Sequence, residues 1–453
     1  MDNIGIYVGL DIGTASIKII VAENVRGQMN VIGVVREPSN GVNRGVIVDI
    51  DKAANAIRKA VDAAEKKANI QIHDVVAGIP ANLLRIEPVR GMIAISDGSR
   101  EIENQDVIDV ASAASLHNLP PEQEVVDVLP DEFIVDGFDG IKDPRGMVGV
   151  RLEMNGNIIT GPKTIIHNLR SAVTKAGLEL KDIVVDSLAL GKTILNDGEQ
   201  DFGTITLDLG AGQSTVAVIH DHHLKYTFVE QEGGQFVTKD ISVVLNTSLE
   251  NAEQIKQQYG YAISEDAGTE TFPVNVVGKN EPVATSQKYL SEIIEARLEQ
   301  ILTNIKKQLE KVGALDMPGG IVITGGAAAI PGIEDLVERI FETSAKLYVP
   351  DQMGLRHPAF SQILAIVNYE SSMNDVDILA KKSMVANEMD VSENSNEKPI
   401  SRNAKIKSNK TRTSSKVESH RTVQSENRQN NNESQSLKSR FSGIAKWFND
   451  FFE

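Results

Sequence analysis

"YVGLDIGTASIKIIVA", residues 7–22, has a counterpart at residues 204–219, "TITLDLGAGQSTVAVI". Each stretch runs through apolar residues into an Asp, then an apolar residue and a Gly. Small and hydroxyl residues follow, and each closes on a second apolar, β-branched run. Such runs on either side of a glycine-rich turn predict a β-hairpin. Glycine or another small residue lets backbone amides approach a phosphate that a Cβ would hold off. An Asp beside such a turn repels phosphate but accepts hydrogen bonds from the waters that Mg²⁺ retains. Asp11 with Gly13, Thr14 and Ser16, and Asp208 with Gly210, Gly212 and Ser214, therefore form two matched half-sites. One D-x-G hairpin alone is most simply an ordinary turn. Two copies in separate halves predict a duplicated domain with a nucleotide clamped between the halves.

The surroundings fit that reading. A chain of 453 residues exceeds one ordinary core and predicts more than one domain. A net charge of −17 argues against nucleic acid as a partner of the folded part. With no cysteine, the chain has neither a disulfide framework nor a thiolate metal site, which fits a reducing cytosol. The N-terminus lacks the basic start and cleavage site of a secretory signal, and no run is long and apolar enough to span a bilayer. "IVITGGAAAIPGI", residues 321–333, ends a strand on Gly325 and Gly326, where a flat ring can lie against bare backbone. "DSLALGKT" ends like a P-loop but carries Asp186 where the first glycine belongs, and "GAGQST" lacks the third glycine of a dinucleotide fingerprint. "HDHH", residues 220–223, sits between two strands and reads as a solvated turn rather than a metal cluster.

Alternating β-branched and helical segments up to about residue 369 predict an α/β architecture. The long helix at residues 286–313 carries Leu290, Ile294, Leu298, Ile301, Ile305 and Leu309 as a core-facing stripe. A first lobe is assigned to residues 1–84 and 163–200, with an α+β subdomain inserted at 85–162. That subdomain is expected to hold the helix of "REIENQDVIDVASAASL" and short strands at "EVVDVL" and "FIVDGF". A second lobe with its own smaller helical and strand subdomain takes 201–345, and a return helix takes 346–370. From residues 371 to 436 Asn, Ser, Gln, Glu and Lys dominate, as in a disordered linker. Within it, residues 396–421 hold eight Lys or Arg against two Glu, so a basic tail follows an acidic body.

Residues 437–453, "LKSRFSGIAKWFNDFFE", change character again. Leu437, Phe441, Ile444, Phe448 and Phe451 step by four and three onto one helical face, flanked by Trp447 and Phe452. An aromatic-edged amphipathic helix on a tether suits a bilayer interface, and docking into a protein groove is the alternative.

"GLDIGTASIKIIVAE", "ITLDLGAGQSTVAV", "GGQFVTKDIS", "NAEQIKQQYG" and "GGIVITGGAAAIPGI" together resemble the actin-like ATPase superfamily, and within it the FtsA family of bacterial cell-division proteins. The resemblance covers about residues 4–370 and implies a duplicated, ribonuclease H-like, two-lobe ATPase fold that binds ATP and Mg²⁺. It implies that Asp11, Gly13, Thr14, Ser16 and Lys18 form the first phosphate loop, and Asp208, Gly210, Gly212 and Ser214 the second. Asp11 and Asp208 would hold Mg²⁺ through water, Glu253 and Lys256 would meet the ribose or base, and Gly233 and Gly234 would line the cleft. Gly325 and Gly326 would floor the adenosine pocket. Relatives with strong hydrolysis place Glu or Gln near the start of the connecting helix. The shorter Asp186 falls there, so with Asp208 as the other catalytic candidate, slow turnover at most is expected. The implied partners are FtsZ filaments, further copies of the chain, lipids of the cytoplasmic membrane face at the division septum, and later division proteins. A pilus-assembly ATPase or a small-metabolite kinase of the same fold remains the alternative; a chaperone would need a β-rich domain after the ATPase.

Overall fold

The computed structural model describes residues 5–25, 27–95, 98–115 and 119–394. The predicted membrane residues Leu437, Phe441, Ile444, Trp447, Phe448, Phe451 and Phe452, and the linker from residue 395 onward, lie outside the described residues.

Two five-stranded sheets have the same topology. In the first, Gly5–Ile12, Ser16–Val25 and Gln28–Pro38 form an antiparallel meander, and Asp74–Ile79 then Glu179–Val185 extend it in parallel from the first strand. In the second, Thr204–Leu209, Ser214–His220 and His223–Glu230 form the meander, and Ile321–Thr324 then Ala345–Leu347 extend it in the same way. The duplication predicted from two hairpins thus extends to whole sheets. The turn of the second meander is Asp221–His222, both residues at positive φ, as the solvated reading of "HDHH" expects.

Helices cover the sheets for local reasons. Ile50–Ala68 starts where the Asp49 carboxylate accepts from Lys52 N at 3.1 Å, and it buries one side of small residues, Ile57 and Val61. Gln287–Lys311 buries the full stripe read from the sequence, with Ser286 as its cap. Asp186–Ile194 carries the chain from the first lobe to the second and packs on both sheets, with Ile219 of the second sheet in the same buried core as the first. The helix Ser361–Ser372 returns to the first lobe, where Ile363 and Val367 press on the strand Gly5–Ile12.

Between strands Asp74–Ile79 and Glu179–Val185 the chain builds a separate antiparallel sheet in the order Phe138–Ile141, Gln123–Val135, Arg151–Pro162, Arg85–Ala94. Helix Asn104–Ser115 covers it, closing a core around Val107, Val110, Phe133, Leu152 and Ile158. The two short strands expected at "EVVDVL" and "FIVDGF" are one strand, Gln123–Val135. Pro130, which has no amide proton to donate, lies between the two stretches. The sheet accommodates it in a bulge, where Gly156 pairs Pro130 and Asn155 pairs Glu132, leaving Asp131 as the extra residue.

The linker assigned to residues 371–436 is corrected at its start: Asp375–Asn394 is a helix. Asn374 caps it, its side chain accepting from Asp377 N at 2.8 Å. Val376, Leu379 and Ala380 enter the core of the inserted subdomain. Polar composition masked this stripe, because Lys381 in its midst is itself buried, at 7% exposure. Its ammonium donates to Asp182 at 2.8 Å and lies 3.7 Å from Asp127, joining the helix to a strand of each neighbouring sheet. Burial pushes the Asp127 carboxyl up to about 6, with Lys381 opposing the rise and the charge of Asp182 adding to it. Burial and Asp182 push Glu370 up to about 7, while Lys381 is held charged by the acids around it.

Removing this cation strands buried carboxylates, so Lys381→Met should lower unfolding stability at neutral pH by about 3 kcal/mol, and by less toward pH 5. Denaturant titrations at both pH values check this. Asp127 has a raised folded pKa, so the stability it confers is full below its unfolded pKa and is lost as pH climbs through about 6. Asp127→Asn should therefore gain on the parent by on the order of 2 kcal/mol between pH 4 and pH 7, measured by the same titrations.

Candidate nucleotide site between the lobes

The tips of the two hairpins meet. A Cβ on Gly212 would lie 2.5 Å from Thr14 Oγ1, so only glycine permits the approach. Thr14 Oγ1 also accepts from Gly45 N at 2.9 Å, fixing the first tip to the neighbouring turn. The second tip rests on the helix Gly234–Val244, whose first amides, Gly234 N and Gln235 N, donate to Gly210 O and Ala211 O at 2.9 and 2.8 Å. The amides of Ala15, Ala211 and Gly212 have no hydrogen-bond partner among the described residues.

Below the tips lies a chamber of about 140 Å³ lined by Asp11, Gly13, Lys18, Asp186, Asp208 and Gln362, among others. Beside it opens a groove of about 1220 Å³ between the lobes. Lys18 and Asp11 are register partners in the first hairpin and pair at 2.6 Å, whereas the partner of Asp208 in the second is Thr215. One ammonium therefore serves a chamber with three carboxylates. Burial raises Asp208 to about 6, with Asp11 adding to the rise and Lys18 opposing it. Burial, then Asp11 and Asp208, drive Asp186 well above the usual carboxylate range. Gln362 from the return helix donates to the Asp186 carboxylate at 3.1 Å and holds it in place. Gly325, at φ +97°, passes so close to Asp208 that a Cβ would fall 2.2 Å from Oδ1.

The predicted residues divide into those facing these spaces and those behind them. Asp11, Gly13, Thr14, Ser16, Lys18, Asp208, Gly210, Gly212, Gly325 and Gly326 line the chamber, and Gly234, Glu253, Lys256 and Gly326 line the groove. Ser214 does not line either one: it is fully buried and donates to Glu232 O at 2.9 Å. Gly233 packs against Gly210 O beneath the second tip and leaves the wall to Gly234. Lys256 is 8% exposed, and its ammonium donates to Glu253 at 2.7 Å, Thr238 at 2.8 Å and Gly234 O at 3.0 Å. Its donors already have protein acceptors, so it acts by orienting Glu253. Burial opposes the charge of Glu253, but Lys256 and the hydrogen bonds from Thr238 and Gln257 outweigh it and hold that carboxyl below its ordinary value.

Several lining residues escaped the sequence reading. Arg44, at φ +47° in the short turn after Val42–Asn43, sets its guanidinium 5.4 Å from the ring centre of Phe236, and Arg297 approaches the same ring at 5.9 Å. Arg297 is itself fixed by Asp240 and Glu232. Arg36 and Gln362 also face these spaces. Their spacing carries no signal; strand register and the fold bring them in.

The chamber fits a hydrated divalent cation, since Asp11 and Asp208 face it from matched places on the two hairpins as acceptors for the cation's waters, and the groove beside it fits a nucleoside. A Cβ on Gly326 would meet nothing nearer than 3.7 Å, so this glycine leaves space in the groove wall that a side chain would take.

Comparisons with known proteins agree with this architecture. The family described as "Cell division protein FtsA" matches residues 205–365, and "SHS2 domain inserted in FTSA" matches residues 81–160. Cell division protein FtsA of Enterococcus faecalis is 57% identical over 382 residues, covering 84% of this chain and 87% of that protein. The FtsA of Bacillus subtilis is 41% identical over 370 residues, covering 82% and 84%. Among solved structures, a PilM-PilN type IV pilus biogenesis complex aligns with a TM-score of 0.57 at 14% identity, covering 81% of this chain and 99% of that one. MreB5 of Spiroplasma citri bound to ADP aligns at 0.52 with 14% identity, covering 81% and 96%. These last two are similar in fold alone, and that fold is actin-like. With its inserted subdomain, its paired sheets and relatives of this identity across most of its length, the chain belongs to the FtsA family of cell division proteins.

Proposed function

We propose that this chain is an ATP-binding division protein that assembles into filaments on the cytoplasmic face of the membrane and tethers FtsZ filaments at the septum. The observation that carries the reading is the meeting of both Asp-Gly hairpins over one acid-lined chamber that opens into a groove wide enough for a nucleoside. The MreB5 neighbour of the same fold, described as bound to ADP, supports it.

Asp11 and Asp208 would hold Mg²⁺ through its waters, and the free amides of Ala15, Ala211 and Gly212 would donate to phosphate oxygens. Glu253 would take the ribose or base, and Gly326 would leave room for the ring. Bound Mg²⁺ supplies charge neutralisation between phosphate oxygens. Asp186 is desolvated, pinned by Gln362 and biased toward its neutral form, which makes it a weak base for activating water. Nucleotide then serves mainly to hold the lobes together, with slow turnover.

Self-association makes the membrane step effective. A single short amphipathic helix binds lipid weakly, and many helices on one filament bind together with a much higher effective affinity. The helical spacing of apolar residues at 437–453 would provide such an anchor, and the basic run at 396–421 would favour an anionic leaflet. Later division proteins are the expected further partners.

Asp208→Ala should weaken Mg·ATP binding about tenfold or more in calorimetric titration; an unchanged dissociation constant would remove Asp208 from the site. Deleting residues 437–453 should leave that binding intact and abolish co-sedimentation with anionic liposomes. Sedimentation equal to that of the full chain would defeat the membrane assignment.

A further inference from the structure

The chamber and the groove share six lining residues: Ala15, Arg36, Ala211, Gly212, Gly326 and Ala359. Five are alanine or glycine, so Arg36 is the one charged side chain common to both spaces. Any ligand that reaches from the groove into the chamber passes these six residues. Arg36 lies on the strand Gln28–Pro38, in register with Lys18 on the neighbouring strand, which places both side chains on one face of the sheet. Their situations differ. The Lys18 ammonium is engaged by Asp11 at 2.6 Å, while Arg36 has no hydrogen-bond or ion-pair partner among the described residues. The throat thus combines unpaired backbone amides on Ala15, Ala211 and Gly212 with a guanidinium that lacks a protein acceptor.

This is the chemistry of a phosphate site. Amides supply directed donors without side-chain bulk, and a guanidinium offers a planar fork matched to two phosphate oxygens. The chamber beyond is acidic, so an anion entering it meets repulsion from Asp11 and Asp208 that Lys18, already paired, offsets only in part. A cation at the entrance stabilises the anion there and leaves the acids to the metal. His357, on the segment before the return helix, has its pKa lowered by partial desolvation and then by the charge of Arg36.

We propose that Arg36 is a phosphate-contacting residue of the nucleotide site, holding the phosphate chain at the throat between groove and chamber. The inference rests on the nucleotide reading given above and assigns within it a residue on the third strand, outside both acid-and-glycine hairpins.

The test compares full-length parent, Arg36→Gln, Arg36→Lys and Lys59→Gln. Lys59 is an exposed lysine on the helix Ile50–Ala68, and its substitution removes the same charge away from the site. Each protein is titrated with Mg·ATP and with adenosine, by displacement of a fluorescent ATP analogue, and is melted without nucleotide. Arg36→Gln should bind Mg·ATP about tenfold more weakly, bind adenosine as the parent does and melt at the parent's temperature. Arg36→Lys should recover part of the loss, and Lys59→Gln should show none. Arg36→Gln binding Mg·ATP within twofold of the parent would overturn the proposal. So would an equal loss for adenosine, which marks a distorted groove, or an equal loss in Lys59→Gln, which marks a long-range field. Failure of the parent itself to bind Mg·ATP would instead overturn the nucleotide reading on which the proposal stands.

Discussion

The approach of Thr14 to Gly212 governs the site. Two loops from separate sheets touch where no β carbon fits, so the acids one step below them must share one small space. Desolvation there, and then the neighbouring acids, raise the proton affinity of Asp186 and Asp208. Such a cluster is costly for an empty protein and favourable once a cation sits among it. Binding and closure are therefore two aspects of one electrostatic balance.

The duplicated sheets make that balance asymmetric. Both meanders present an Asp at the same place, but strand register gives the first a lysine partner and the second a threonine. The inserted subdomain and the helix Asp375–Asn394 stand apart from this chemistry. A buried lysine bridging acids from two sheets ties them to the first lobe.

What could be read in advance follows from how local the cause is. The hairpins, the glycine turn at Gly325 and the helix stripes are set by neighbours in the chain, and they stand where their patterns placed them. Ser214 and Gly233 sit in the motifs as expected yet face inward, because which side of a loop meets the cavity depends on the sheet beneath it. Lys256 looked like a ligand contact until its donors proved engaged by Glu253, Thr238 and Gly234. Arg36, Arg44 and Gln362 carry no motif at all; they arrive from a third strand, a short turn and the return helix Ser361–Ser372, which follows the whole second lobe in the chain. The helix beginning at Asp375 was hidden by composition, since one charged residue in its buried stripe outweighed the cap at Asn374.

The ring of Phe236 lies between two guanidiniums of unequal freedom. Arg297 is moored by acids on its own lobe, whereas Arg44 extends from a turn of the other. Widening the groove on that side must first detach Arg44, while Arg297 keeps the ring in place. The contact therefore behaves as a latch with one moving part. Its strength enters the dwell time of whatever the groove encloses and leaves the rate of first encounter almost untouched.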